Sequence, residues 1–392
     1  GAAPDCEFVV VKLRPMNEEE KIEQIGHNFI KDPLYDTVSI TTAIKYLYNV
    51  GKELNKPMVI YVPLGSNGGP HDGNTILERY IDSISNIRGL AVVTGTGNQG
   101  ESSTHTSGTL EKSGDIKTIE LKVGPFEKDL TFEIWCKKPD KVSIGITSPA
   151  GEIIEKIPAK IKEKEEIDLV FEGSKVFVEY YLPEELTGDE LILVKIENIR
   201  EGIWRFNLIG DLIVNGRYDA WLPQEPIIDK ETKFLNSTPY TTIQMPSPSR
   251  NILSTSFYDQ NNNSILGESS RGYTRDGRVV PDVTTGGLNI KTIDTSGNVV
   301  TVSGSSAASA IYAGACALMF QWGIVDGNDP TLYAVKLKTY FIRGATRRKS
   351  DIYPNPEWGY GILNLRGVFE NVRSKFNNKR NVFVRIPKFI MK

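Results

Sequence analysis

The chain has little cysteine and little histidine, with only three residues of each in 392 positions. Three scattered cysteines (Cys6, Cys136 and Cys316) exclude a dense disulfide framework and predict free thiols, with Cys6 and Cys316 buried in core elements. Excess charge of one sign is also lacking, because 46 Lys and Arg nearly balance 49 Asp and Glu. This balance predicts no nucleic-acid partner. No apolar run approaches the length of a membrane span, so none is expected.

Strand and helix patterns alternate over the first part of the chain. Apolar runs predict strands at 8–13, 58–62 and 90–94, and apolar residues at helical spacing predict helices at 36–54 and 74–87. This alternation predicts a parallel sheet, whose sites gather at the carboxyl ends of the strands. Gly65 and Asn98 follow two of these strands, so we expect a cleft there.

From about Leu110 to Leu222 the apolar residues recur instead at every second position. Turn residues such as Gly124-Pro125 and Pro149-Ala150-Gly151 separate the short segments. This pattern predicts an antiparallel β-sandwich. Strand and helix patterns return at 252–257, 305–323 and 330–342, which places the sandwich inside the α/β part.

Small residues surround Ser306, in the run Gly304-Ser305-Ser306-Ala307-Ala308, and the apolar run Cys316–Phe320 follows. The pattern predicts a tight turn that leads into a buried helix, with Ser306 in its first turn. Unpaired N–H groups and the helix dipole at such an end favour a developing negative charge, so Ser306 is a candidate nucleophile. A serine-capped packing helix explains this stretch equally well.

Three blocks of the chain, in this order, resemble the signature blocks of the subtilisin-like serine proteases (subtilases): 90–100, 269–283 and 304–308. Likeness to further family blocks is found at 1–13, 59–65 and 358–364. The family pattern around the nucleophile is G-T-S-x-A, and Ser305 replaces its threonine. Ala310 and Ile311 replace the usual proline and a frequent histidine, and Pro63 replaces a common serine. None of these changes removes a reacting atom.

The resemblance implies a subtilisin-like, doubly wound α/β fold and a serine endopeptidase that acts on a protein or peptide. It implies that Ser306 is the nucleophile and that Asn98 donates its amide to the oxyanion. It also assigns substrate binding to residues at the two strand ends: Leu64, Gly65, Gly95, Thr96 and Gly97. Taken alone, Asn98 is also explained as a turn residue that tolerates positive φ. No cofactor is implied. Calcium is a frequent subtilase ligand, but no acidic loop assigns a site for it.

The aspartate block (D-T/S-G) and the histidine block (H-G-T-H-V-A-G) of the family are missing from the chain. His27, His71 and His105 lie in other contexts and are predicted to be surface or loop residues. Asp294-Thr295-Ser296-Gly297 is predicted to be a hairpin turn. We therefore expect a C-terminal portion of a subtilase, with negligible proteolysis of its own and with an upstream segment or propeptide as partner.

Asn98 and Ser306 are 208 positions apart, far more than a compact subtilase core needs. A sandwich inserted there resembles the jelly-roll insert of the clostridial germination proteases (Csp-type). The implied division is a first core part at 1–108, the sandwich at 109–224, a second core part at 225–372 and a basic tail at 373–392.

The Csp resemblance implies processing of a spore cortex-lytic enzyme precursor and a spore-associated or extracytoplasmic location. Some members are inactive pseudoproteases in germinant signalling, which is the alternative function. A binding module built on the sandwich ranks last. Phe132 and Trp204 fall in the apolar phase of their strands, and only Trp135 is out of phase.

Overall fold

The computed structural model describes residues 1–27, 30, 32–161 and 164–379. The elements of the first part are α1 (Glu18–Ile25), α2 (Thr37–Glu53), β1 (Met58–Tyr61), α3 (Ile76–Ile84) and β2 (Leu90–Gly95). Local capping explains where the helices begin. The Asp36 carboxylate accepts the Ser39 N–H at 2.7 Å at the start of α2, and Thr75 and Glu78 form a reciprocal capping box at the start of α3. The predicted helices at 36–54 and 74–87 are confirmed.

Antiparallel strands make up the middle of the chain. They are β3 (His105–Thr109), β4 (Ile116–Val123), β5 (Leu130–Cys136), β6 (Lys141–Thr147), β7 (Ile153–Ile157), β8 (Lys164–Leu169), β9 (Ser174–Tyr181), β10 (Glu190–Glu197), β11 (Gly202–Leu212), β12 (Arg217–Trp221) and β13 (Lys233–Phe234). They form two sheets, ordered β3-β12-β5-β10-β9-β8 and β13-β4-β11-β6-β7.

The two antiparallel sheets share one apolar core. Phe132 of β5 meets Phe206 of β11 with ring centroids 4.9 Å apart, and Phe234 lies against the same ring. Alternate residues along each strand point into this core, as the period-two pattern predicted. The sandwich predicted between the two α/β parts is present.

The last part of the described chain returns to strands and helices. Its elements are β14 (Leu253–Asp259), β15 (Ser264–Ile265), β16 (Val283–Gly286), β17 (Ile290–Ile293), β18 (Val299–Val302), α4 (Ser305–Phe320), a π-helical turn (Gln321–Val325), α5 (Ala334–Gly344) and α6 (Leu365–Lys379). β17 and β18 form a hairpin, and Asp294 lies in its turn as predicted. The helix predicted at 330–342 begins at Ala334, because Asp329–Leu332 form a turn.

A parallel sheet with helices on both faces carries the α/β part. β1, β2, β14 and β16 pair in parallel in that order, and β15 adds an antiparallel edge. Ala91 and Val93 of β2 pack with Tyr312 on α4, whereas Val92 faces the cluster that contains Ile81 on α3. Successive side chains of one strand therefore enter two different cores.

Buried polar residues join the sandwich to the α/β part. The Arg275 guanidinium contacts the carboxylates of Asp189 at 2.6 Å and Asp219 at 3.1 Å. Trp221 stacks between His71 and His105, with ring centroids 4.1 and 4.6 Å away. Of the two histidines predicted to be surface or loop residues, His71 does lie in a loop, whereas His105 lies in β3. Neither is on the surface, because both are buried where the sandwich meets the α/β part.

Trp135, the one aromatic residue out of phase in its strand, belongs to this junction. Its ring lies under the Arg275 guanidinium, and its indole N–H donates to Glu133 at 2.8 Å. Glu133 also accepts the backbone N–H of Gly69 in the α/β part at 2.8 Å. Trp135 therefore does not mark an exposed binding face on the sandwich.

The strand predicted at 8–13 is not present in the structure. This segment has no regular secondary structure, no described strand pairs with it, and Phe8 and Val10 are 83% and 85% exposed. Apolar residues predict a strand only where a neighbouring strand can satisfy the backbone. Cys6 is half-exposed rather than in the core, whereas Cys136 and Cys316 are buried and free. Of the predicted basic tail, α6 continues to Lys379 and 380–392 lie outside the described residues.

The helical stretch Ser305–Val325 is, against expectation, long and apolar enough to span a membrane. Its side chains Ala308, Tyr312 and Cys316 are nevertheless fully buried against the parallel sheet. The apolar composition is thus explained by packing in the core.

Candidate active site

Helix α4 presents two consecutive serines in different surroundings. Gly304 precedes the helix with φ +111°, a conformation that side chains rarely adopt. Ser305 is buried, and its hydroxyl accepts the Gly97 N–H at 3.0 Å. Ser306 is exposed, and its hydroxyl lies 3.4 Å from the Pro63 carbonyl. Ser305 is therefore fixed by burial and a hydrogen bond, whereas Ser306 is exposed at the positive end of the helix.

Asn98 reaches this helix end from the turn after β2. Its side-chain carbonyl accepts the Ser305 N–H at 2.9 Å, which satisfies a backbone donor that the helix cannot. Its carbonyl oxygen lies 3.2 Å from the Cβ position of Gly304. With the oxygen fixed on Ser305, the two N–H donors of the exposed Asn98 amide are not used by this bond. Asn98 is thus bonded to the residue that precedes Ser306.

Glycines at the end of β2 allow this close approach. A Cβ on Gly95 would overlap the Ser305 hydroxyl and would lie 2.8 Å from the Ser305 carbonyl oxygen. Gly97 has φ +105° and donates its N–H to Ser305. Thr96 is fully buried and accepts the Gln244 N–H at 2.8 Å. Of the predicted substrate-binding residues on this side, Gly95 therefore serves mainly to seat the helix.

The end of β1 contacts the same helix end, and we use the word groove for the surface that residues 63–65 and 95–98 form beside Ser306. The Tyr61 hydroxyl donates to the Ser306 carbonyl at 2.7 Å, and burial raises the pKa of that hydroxyl. Leu64 is half-buried and packs on the cluster beneath α3. Gly65 faces the Gln244 side chain, with its Cβ position 2.8 Å from the Gln244 carbonyl oxygen.

Sequence reasoning missed Tyr61 and Gln244. Tyr61 lies in the family-like block 59–65, but the sequence assigned it no role, and its contact with Ser306 depends on packing between distant segments. Gln244 had no signal in the sequence, because it follows the sandwich in a loop with no regular pattern.

The three histidines are engaged elsewhere in the part of the chain that the structure describes. His27 pairs with Asp129 at 2.8 Å, and His105 contacts Asp219 and the Tyr240 carbonyl. His71 lies between the carbonyls of Ile243 and Asn67, and burial lowers its pKa to about 4. None of these imidazoles is hydrogen-bonded to Ser306. A general base for Ser306 is therefore not found among them.

Residues that could hold a metal ion were also sought. Over 1–27, 30, 32–161 and 164–379, no group of three or more His, Cys, Asp or Glu side chains has the arrangement of a metal site. The groove itself is lined by backbone, hydroxyl and amide groups. A solvent-open serine hydroxyl, an adjacent amide donor and a glycine-lined groove at strand ends are the equipment of a serine hydrolase.

Comparisons with known proteins agree with that class. A family model described as the subtilase family matches residues 233–361, which include Ser306. The CspB protease of Clostridium perfringens has the same fold with a TM-score of 0.81 at 29% identity, over 88% of this chain and 72% of that chain. A search of curated proteins finds no match. Residues 233–361 thus match the subtilase family, and together with the CspB likeness they support a serine endopeptidase of that family.

Other solved structures are similar only in part. The PatG macrocyclase in complex with peptide has a TM-score of 0.41 at 11% identity, over 86% of this chain and 56% of that chain. The patellamide maturation protease PatA has a TM-score of 0.28 at 20% identity, over 34% of this chain and 47% of that chain. Neither match adds to the argument.

Proposed function

We propose that Ser306 is the nucleophile of a peptide-bond hydrolysis reaction and that Asn98 stabilises its oxyanion. The observation that carries this proposal is the hydrogen bond from the Ser305 N–H to the Asn98 side-chain carbonyl at 2.9 Å. It fixes the Asn98 side chain on the residue that precedes the exposed Ser306. In this proposal the amide donors of Asn98 are positioned before substrate arrives, which is what electrostatic stabilisation requires.

The proposed reaction proceeds in two acyl-transfer steps. A general base takes the Ser306 proton as the hydroxyl oxygen attacks the substrate carbonyl, and Asn98 donates to the oxygen that becomes negative. The tetrahedral intermediate collapses and the amine leaves with that proton. Water then hydrolyses the acyl-Ser306 ester and restores the hydroxyl. The backbone at Leu64–Gly65 would pair with an extended peptide. At 95–97, the Thr96 carbonyl and the Gly97 N–H already bond to Gln244 and Ser305, so this segment would bound the substrate by contact.

The proposal includes a histidine base and an orienting aspartate supplied from outside the present residues, as in an Asp-His-Ser triad. It is supported by the partners of His27, His71 and His105, which lie away from Ser306. An upstream segment or a propeptide of the same protein is the proposed source. Without that contribution we expect this chain to cleave peptides negligibly.

The biological role that we propose is processing of a spore cortex-lytic enzyme precursor, at a spore-associated or extracytoplasmic site. The likeness to the CspB protease of Clostridium perfringens supports this role. The alternative is a pseudoprotease that retains the fold for binding or germination signalling. The engagement of all three histidines away from Ser306 is the observation that favours it.

A fluorophosphonate probe on the full-length gene product separates these two functions. We expect labelling that Ser306→Ala abolishes, together with a loss of peptide cleavage on the order of 10⁶-fold in kcat. Ser303→Ala is the matched control, because Ser303 is exposed and only three positions away. Absence of labelling at Ser306 in the folded full-length protein would establish the pseudoprotease instead.

A further inference from the structure

Segment 243–245 closes the floor of the groove between the two strand ends. The Gln244 N–H donates to the Thr96 carbonyl at 2.8 Å. Met245 and Ser66 exchange two backbone hydrogen bonds of 2.9 and 3.2 Å. These bonds fix the backbone of the segment to Ser66 after β1 and to Thr96 after β2, and they therefore set the orientation of the Gln244 side chain.

The Gln244 side chain fills the space between the two glycine walls. The Cβ position of Gly65 is 2.8 Å from its carbonyl oxygen, and that of Gly97 is 2.6 Å from its Cγ. Both glycines therefore face the same side chain. Ser306 and Asn98 lie next to these glycines. The Ser306 hydroxyl is 3.4 Å from the Pro63 carbonyl, and the Asn98 side chain accepts the Ser305 N–H.

Hydrogen bonds keep Gln244 in this position. Its amide donates to the Asn67 side-chain carbonyl at 3.1 Å, and Asn67 in turn donates to Thr104 and to the Leu222 carbonyl. Asn67 is 2% exposed and Gln244 is 8% exposed. Swinging Gln244 out would leave a buried acceptor without a partner, which is costly. The side chain therefore acts as a fixed wall of the groove.

Resting on the proposed function, we infer that Gln244 determines which substrate side chain the groove accepts next to the scissile bond. The residue whose carbonyl Ser306 attacks would place its side chain between Gly65 and Gly97, where Gln244 already lies. The groove accepts short side chains such as alanine and rejects leucine and phenylalanine. Size selection of this kind discriminates by about 10- to 200-fold for each methylene group.

The test uses full-length protein and peptides that differ only at this position, with Ala, Leu or Phe. We expect wild type to prefer Ala over Phe by about 10²-fold in kcat/KM. Gln244→Gly should lower that ratio at least tenfold by raising turnover of the Phe peptide. Gln244→Asn, which keeps an amide and is shorter by one methylene, should improve the Leu peptide most. Gln321→Ala, an exposed glutamine at the far end of α4, is the control and should leave all ratios unchanged.

The outcomes separate this inference from the function beneath it. If Ser306 is labelled but wild type prefers Phe, or if both Gln244 variants keep the wild-type ratios, the role of Gln244 is refuted and the protease stands. If Gln244→Gly fails to fold, the Leu ratio of Gln244→Asn decides alone. If wild type neither cleaves any peptide nor reacts with the probe, the proposed function falls and this inference with it.

Discussion

The sandwich core and the surroundings of Ser306 bury different kinds of side chain. The sandwich core is mainly aliphatic and aromatic, and Phe132, Trp204 and Phe206 are among its largest buried side chains. Near Ser306, in contrast, the buried residues include Thr96 and Ser305, and Ser254 on the adjacent strand β14 is buried as well. Large apolar side chains stabilise by removing area from water, whereas small polar ones let two backbones and a hydroxyl approach closely. One region is built for stability and the other for a reactive geometry.

The cost of that geometry is visible in unpaired hydroxyls. Within the described part of the chain, the buried hydroxyl oxygens of Thr96 and Ser254 have no hydrogen-bond partner. Buried polar groups without a hydrogen-bond partner are destabilising, and active sites commonly retain them because function requires the arrangement. The sandwich and its junction supply packing that can offset this cost.

Truncation in the sandwich should have the largest effect on stability and little effect on chemistry. We expect Phe132→Ala to lower the free energy of unfolding by about 3–5 kcal/mol, because it leaves a cavity against Phe206. Chemical denaturation measures this loss, and fluorophosphonate labelling of the folded fraction should keep its rate. Phe126→Ala is the control, since Phe126 is 83% exposed and its loss should change stability by about 0.5 kcal/mol or less. Equal losses for the two variants would contradict the comparison.

Substitution of Asn98 should have a large effect on catalysis and a small effect on stability. Asn98→Asp keeps the acceptor for the Ser305 N–H but removes the amide donors, so we expect kcat to fall about 10²- to 10³-fold with near-normal stability. Asn98→Ala should lose kcat similarly and also about 1 kcal/mol of stability, because it removes the acceptor at the helix end. Steady-state kinetics and thermal melts of both variants in the full-length enzyme measure the split. An Asp variant with wild-type kcat would remove Asn98 from the mechanism.

A pH-dependent effect on stability is expected from Glu190 in the sandwich. Its carboxylate accepts the Val142 N–H at 2.7 Å, and burial raises its pKa from 4.5 to about 8. Asp211 and Asp140 also raise this pKa, whereas Val142 and Lys141 lower it. The folded state therefore binds the proton more tightly than the unfolded state, and stability falls as pH rises from about 4.5 to about 8.

We expect Glu190→Gln to flatten this decline, because glutamine stays neutral and can still accept from Val142. The free energy of unfolding of the variant should exceed that of wild type at pH 8 and approach it at pH 5. Denaturant titrations across this range measure the difference. Glu155→Gln, on an exposed position of β7, is the control and should follow the wild-type profile. Parallel profiles for Glu190→Gln and wild type would show that Glu190 carries no such linkage.

Much of the fold follows from local pattern. Period-two alternation located the sandwich strands, and helical spacing located α2 and α3, because each pattern reflects the geometry of one element. The small residues around Ser306 and the turn at Asn98 were also singled out from sequence, and the structure brings Asn98 into contact with Ser305. The apolar segment 8–13 misled the same reasoning, since apolar residues do not show whether a partner strand is adjacent.

The sequence by itself determined the types and order of the elements, the small-residue helix start at Ser306 and the family resemblance. Only the tertiary structure decided that Asn98 bonds to Ser305, that Gln244 fills the groove, and that His71 and His105 are buried around Trp221. The physical reason is distance along the chain. Periodicity and capping act between residues a few positions apart, whereas these contacts join segments that meet only when the sandwich docks on the parallel sheet.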